Sequence, residues 1–478
     1  MYQRKKKTTK TAASIRQESA RARNKEEEVL EYAQSLTQRF LGDRTVLIVD
    51  SNVSSRASMA KVMSRLKIPP IQVLTASSCK EALQFIHEKT PEIIISEYEF
   101  KDGTGIDLLP HHIQNNKNSL KRIFILTTRV NIPLVGCLAA ENEVDAFVPK
   151  PFTAESMQNE LMYLIEDKSK MNEYKKLVAS ARESIVLGDF ETAHSLLDQS
   201  LDVTHEGLEA HYLKGVAYKK QGDPLSAEKS FKAALDFNHY HYRTMVALFD
   251  IYFENEKFND CSELRKRMEK IYPLSPPRVK ELSFLALRDK NYELLSHYFE
   301  FYEQWSGKTK DAGKALGNGL LEYGKLLMKQ KKFREGVSKF RQAEVASEAD
   351  PMIVTQILST MVSYGLKDEV KGMSSRVSQS ILESFEVKKS ESIDFFIRGE
   401  YGHSLKLGLS LLKDGHKDPL LFQLVIMGSL SLNRRETVIE DLIEQATQAY
   451  PDLKKDFSSL IEMSAEGFIE NVLKIKRQ

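Results

Sequence analysis

The chain has 478 residues, 41% of them hydrophobic and 28% charged, and a formal net charge of +2. That length calls for two or three domains with sizeable cores, and the balanced charge excludes a polycation built to coat nucleic acid. Three scattered cysteines, Cys79, Cys137 and Cys261, offer neither a disulfide framework nor zinc-type spacing and fit a reducing compartment.

Residues 1–25 carry nine lysines and arginines against Glu18 alone, the composition of a solvated tail. No apolar run follows these lysines as a secretory signal would require, and no stretch approaches the roughly 20 apolar residues of a membrane span. The expectation is a cytoplasmic protein that does not insert into membranes. Val29, Ala33, Leu36 and Phe40 then fall at helical spacing, so segment 1–42 should end in an amphipathic helix that packs on the next domain or on a second chain.

From Asp43 the pattern changes. TVLIV (45–49), IQVLT (71–75), EIIIS (92–96), RIFILT (122–127) and DAFV (145–148) are short β-branched runs. Helical stretches separate them, over about 53–67, 78–89, 105–115, 132–141 and 153–166. Alternation of this kind predicts an α/β domain at 43–167. It should be a doubly wound, five-stranded parallel sheet with helices on both faces and its chemistry at the carboxyl ends of the strands.

Beyond residue 170 the strands stop and helical periodicity continues, predicting an all-α solenoid. Phe190, Pro224, Phe258 and Tyr292 are spaced 34 apart, as are Ala193, Ala227, Cys261 and Leu295, and Gly188 and Gly222. The same period returns in Phe333, Lys367, Tyr401 and Arg435, in Gly365 and Gly399, and in Gly336, Val370, Ser404 and Val438. The gap from Tyr292 to Phe333 is 41, and the polar segment 306–314 is the natural place for seven inserted residues. Residues 454–476 are expected to form one terminal helix that seals the stack, within a capping segment 452–478.

A period of 34 resembles the tetratricopeptide repeat, with eight units over about 174–451 in a repeat domain of 172–451. The best copy, residues 209–238, places Gly215, Tyr218, Gly222, Ala227, Phe231 and Ala234 where that family has small and aromatic residues. Small residues let paired helices approach; aromatics fill the gaps between hairpins. The concave face of such a stack would include Lys175, Arg182, Glu209, Tyr212, Lys219, Lys220 and Arg243. Basic residues prevail there, so the expected ligand is an acidic peptide or a protein segment.

Segment 43–167 resembles the receiver domain of two-component response regulators. VLIVDSN (46–52) is similar to the family's first strand and acidic turn, and IIISEYEF (93–100) to its phosphoacceptor strand. Thr127 takes the place of the switch hydroxyl, Phe147 that of the switch aromatic, and Lys150, before a Pro151 whose peptide bond is cis in the family, that of the lysine. In this family a carboxylate attacks a phosphoryl group while a metal ion and the lysine neutralise the charge. The hydroxyl and the aromatic then move, reshaping the surface of the fourth and fifth helix–strand elements.

Two positions depart from that pattern. The acidic pair is reduced to Asp50 followed by Ser51, and the acceptor aspartate is replaced by Glu97. Serine is a poor ligand for magnesium, which is at best weakly expected here, and glutamate pushes its carboxylate into the space a phosphoryl group needs. The resemblance therefore implies a degenerate receiver. Glu97 either imitates a phosphorylated acceptor by pairing with Lys150 and Thr127, or is a remnant in a docking module; we favour docking.

His111-His112, His239 and His241 lack carboxylates at ligand spacing, and GTG (103–105) is a turn, not a nucleotide-binding fingerprint. With no nucleophile elbow or phosphate loop either, an enzyme is not expected. The leading expectation is a non-catalytic signalling adaptor that docks a histidine kinase or another response regulator and holds a second protein in its repeats. A homodimer through the fourth and fifth helix–strand elements is open. The alternatives are a nucleic-acid-associated regulator acting through its basic tail and a structural assembly scaffold.

Overall fold

The computed structural model describes residues 28–477 apart from 29, 131, 205–206, 273–275 and 306; the basic segment 1–25 and Val29 lie outside the described residues. The chain divides into two compact units near residue 275.

In the first unit helix α1 (30–41) leads into β1 (Val46–Val49), α2 (Val53–Arg65), β2 (Val73–Ala76), α3 (Cys79–Lys89) and β3 (Ile93–Glu97). A short hairpin, β4 (Glu99–Phe100) and β5 (Gly103–Thr104), precedes α4 (Leu108–Asn115), β6 (Ile123–Thr128), α5 (Ile132–Glu141), β7 (Ala146–Pro149) and α6 (Ala154–Ser169). The five long strands are all parallel in the order β2-β1-β3-β6-β7, the expected doubly wound sheet. The runs are apolar throughout because alternate residues serve opposite faces. Val46, Ile48, Ile93, Ile95, Ile123 and Ile125 meet α2 and α6, whereas Leu47, Val49, Ile94, Phe124 and Leu126 meet α3, α4 and α5. Ala33, Leu36 and Phe40 of α1 join the α2–α6 face, so the amphipathic stripe packs on its own receiver-like domain.

Three helical hairpins complete this unit: α7 (Glu173–Leu187) with α8 (Phe190–Val203), α9 (Leu208–Gln221) with α10 (Pro224–Phe237), and α11 (Tyr242–Glu254) with α12 (Phe258–Glu269). The 34-residue period has a plain structural meaning: Phe190, Pro224 and Phe258 each begin the second helix of a pair. Gly188 and Gly222 end the first helix at φ +79°, a left-handed cap that glycine adopts without strain. Ala193, Ala227 and Cys261 are wholly buried at the crossing of each pair. A compact-unit boundary between the third and fourth hairpins, rather than between the receiver-like domain and the repeats, follows from packing of the first hairpins on that domain.

The second unit holds five more hairpins among the described residues: Val279–Arg288 with Glu293–Gln304, Lys310–Lys329 with Phe333–Ala346, Pro351–Ser363 with Lys367–Ser374, Phe385–Ile397 with Tyr401–Lys413, and Pro419–Ser431 with Glu436–Ala449. Three details differ from the sequence expectation. Of segment 306–314, residues from Lys310 onward are helical and open a helix of 20 residues where 14 is usual, so much of the extra length is taken up as helical turns and not as loop. In the last hairpin the connection is longer, Arg435 precedes its helix, and Ile439 turns inward while Val438 is 38% exposed. The terminal segment breaks at Met463–Ser464 into Lys454–Ser459 and Ala465–Arg477, and Phe457, Leu460, Phe468 and Val472 cover the hydrophobic end of this unit. No helix among the described residues is long and apolar enough to cross a membrane.

Candidate functional site

The carboxyl end of the sheet gathers the expected receiver residues because four parallel strands end there together. β1 delivers Asp50, β3 ends on Glu97, β6 carries Thr127 opposite Glu97, and β7 leads to Lys150. Lys150 is held by its N–H donating to the Thr128 carbonyl at 2.7 Å and is followed by a cis peptide to Pro151. Asp50 is fixed from below: its Oδ1 accepts the Asn52 N–H at 2.8 Å, while the Asn52 side chain caps α2 by accepting from Ser55 N–H.

At the centre stands one ammonium between two carboxylates. Lys150 Nζ lies 2.6 Å from Asp50 Oδ2 and 2.9 Å from Glu97 Oε1, with Asp50 and Lys150 almost fully buried. The two acids respond differently. Burial raises the Asp50 carboxyl, but bonds from Lys150, Ser55 and the Asn52 N–H outweigh it and bring the group below the usual carboxylate range. Glu97 is raised, first by burial and then by the neighbouring Asp50 charge, against the pull of Lys150.

The remaining expected residues sit differently. Ser51 is exposed and does not join the cluster. Thr127 is fully buried, and its hydroxyl donates to the Ser96 carbonyl at 3.4 Å instead of reaching Glu97. Phe147 is half-buried and packed inward, its ring lying along Gly136 of α5. Pairing of Glu97 with Lys150 therefore forms, whereas the Thr127 contact of a phosphate mimic does not. Among the described residues no third carboxylate joins these two, and there is no cluster of three metal-ligating side chains. With an ammonium already bridging the two acids, this donor set does not suit magnesium.

Sequence reasoning missed two supports. Arg56, one turn into α2, donates to the Asp50 main-chain carbonyl. Gly105 presses so closely that a Cβ there would lie 1.9 Å from the Glu97 carbonyl oxygen. The glycine was visible as a turn residue, but the need for its bareness comes from the tertiary approach to β3.

The repeat residues expected on a concave face are engaged by the receiver-like domain itself. Arg182 (α7) and Arg243 (α11) pair both with Glu209 of α9, at 2.5 and 2.7 Å, and with Glu143 of the α5–β7 turn, Arg243 at 3.2 Å. Tyr212 is buried under the Arg243 guanidinium, 4.9 Å away. Lys175 pairs with Asp167 of α6, Lys219 with Glu254, and Lys220 is exposed. Beside these ions, Cys137 of α5 packs on Tyr242 and Val246, and the Tyr242 hydroxyl donates to Glu141 at 2.6 Å. The Ser119 N–H donates to Glu183 of α7 at 2.8 Å. A cleft of about 790 Å³ remains between the two parts, lined by Arg122, Lys168, Arg182, Lys220 and Arg243 among others.

Comparison with known proteins agrees with this architecture. Residues 46–162 match the response regulator receiver domain family. No curated protein matches the chain. The solved structures similar to it include one described as "Functional Characterization of Pseudomonas Aeruginosa pilF", 12% identical, covering 60% of this chain and 97% of that one with a TM-score of 0.20, a level at which the likeness bears no functional weight. The chain thus carries a receiver domain followed by an array of helical hairpins.

Proposed function

We propose that this protein is a non-catalytic adaptor of a two-component, phosphorelay-type pathway. Its receiver domain serves as a docking module of fixed conformation for a histidine kinase or another regulator, and its repeats bind a second protein. One observation carries the reading: the Lys150 ammonium is already shared between Asp50 and Glu97, at 2.6 and 2.9 Å. Transfer of a phosphoryl group would turn the single negative charge of a carboxylate into the nearly two of an acyl phosphate. In this pocket the arriving group would meet two carboxylates against one engaged cation, and a nucleophile too long by one methylene for the acceptor's place. The Thr127 bond to Ser96 supports docking over mimicry, since the hydroxyl is turned to the backbone and not to Glu97.

The test is incubation of the full chain with a small phosphodonor and magnesium, followed by intact mass. We expect no added phosphoryl group. Uptake at a single carboxylate, abolished by Glu97→Gln, overturns the proposal.

A further inference from the structure

The two arginines of the repeats form a bracket with two carboxylate slots. Each gives Nη2 to Glu209 and Nη1 to Glu143, so every carboxylate receives one bond from each arginine. Glu209 is the fixed half: it comes from α9, between the helices that carry the arginines, and Arg243 is further held by the face of Tyr212. Glu143 is the foreign half. It reaches in from the turn between α5 and β7 with its backbone at φ +57°, a left-handed conformation disfavoured for a residue with a side chain. Its side chain, like those of both arginines, keeps between 21% and 28% of its surface in solvent. An arriving carboxylate can therefore reach the bracket without unfolding anything.

We infer that this bracket is a carboxylate-recognition site on the repeats, occupied at rest by the chain's own Glu143, and that an acidic segment of a partner protein binds there by replacing it. The inference rests on the proposed protein-binding role of the repeats and names the chemistry of the partner. One feature fits an acidic segment rather than a lone anion. The cleft continues from the bracket to the exposed Lys220, so a neighbouring acidic side chain finds a second cation there; Lys168 in the same cleft is already paired with Asp145 at 2.8 Å and Arg122 is buried. The side of the bracket that faces Glu143 offers one Nη1 from each arginine, a pair of donors that the two oxygens of one arriving carboxylate can take together. Replacement has a consequence for the other half of the unit: withdrawal of Glu143 removes one of the ties that hold α5 against Tyr242, and the receiver surface around α5 and β7 becomes accessible when the repeats are filled.

The experiment is fluorescence anisotropy of labelled hexaglutamate on the full chain, compared with Glu143→Ala. With its resident competitor removed, the variant should bind the peptide tighter by about ten-fold. Adding Arg182→Ser and Arg243→Ser should abolish the gain. Arg243→Lys in the Glu143→Ala background, which keeps the charge but not the fork, should lose most of it, and this milder change guards against a triple variant that does not fold. Saturating peptide should also speed hydrogen exchange of the α5 amides in the unmodified protein. Equal affinity of the two chains, no binding to either, or a gain that survives loss of both arginines overturns the inference. A chain that captures a partner protein equally well with Arg182 and Arg243 replaced leaves the adaptor proposal standing and sinks this inference alone.

Discussion

At the scale of single residues, the molecule shows how burial sets the charge a group can carry. His112 on α4 is 1% exposed; its Nε2–H donates to the Pro91 carbonyl at 2.8 Å and its Nδ1 has no hydrogen-bond partner. Burial, aided by the charge of Arg122, pushes its pKa down from 6.5 to about 3. The folded state thus binds fewer protons than the unfolded one. The contribution of this neutral histidine to stability is full above about pH 6.5 and is lost progressively as the pH falls towards 3. Between pH 7 and 5 the loss should be about 2 kcal/mol, read as a fall in urea unfolding free energy that His112→Phe largely removes. In the sequence His112 stood only as one of an adjacent pair without ligand spacing, and nothing in that spacing told a packed histidine from a solvated one. Asp50, Glu97, Thr127 and Lys150 were legible through the resemblance of their strand-end motifs to those of receiver domains, and the parallel sheet brings those strand ends together. Which partner each would choose was not: the Thr127 bond to Ser96 depends on angles that no spacing encodes.

Among the elements, two hairpins set a glycine in one helix against an aromatic in the next. An ideal Cβ on Gly215 would stand 2.4 Å from the Phe231 ring, and one on Gly324 the same distance from Phe340. Both phenylalanines are almost fully buried, so neither ring has room to move. Gly215→Ala should therefore destabilise the protein by about 1–3 kcal/mol through overpacking, enough to outweigh the roughly 1 kcal/mol that alanine gains in helix propensity. Thermal unfolding checks it, and adding Phe231→Leu should restore part of the loss. The period of 34 exposed these hairpins because it recorded where second helices begin. It did not show that the surplus before Phe333 would be largely helical, since a polar stretch rich in lysine and glycine reads as a loop until Ala312, Gly313 and Leu316 are seen buried in the packed helix. Nor could it show the break at Met463–Ser464, where no proline or glycine pair interrupts the apolar pattern.

For the molecule as a whole, the chief surprise is that the repeat face expected to wait for an acidic ligand already holds acidic groups from the same chain. Charge complementarity was readable in Arg182 and Arg243; that Glu143 would supply the complement was not, because the two segments are far apart in sequence and meet only through the fold. The same closure puts a thiol under guard. Cys137 is 7% exposed beneath Tyr242, and burial pushes its pKa up to about 11, while Cys79 is pushed up to about 12 and Cys261 is entirely enclosed. At neutral pH the native chain should resist alkylation. A tie worth about 1.4 kcal/mol is a factor of about ten in a local opening equilibrium, so Glu143→Ala should speed iodoacetamide labelling by about that factor, at Cys137 and not at the other two. The protein thereby carries its own gauge: a mass spectrometer counting carbamidomethyl groups would time each parting of receiver from repeats, with no dye attached.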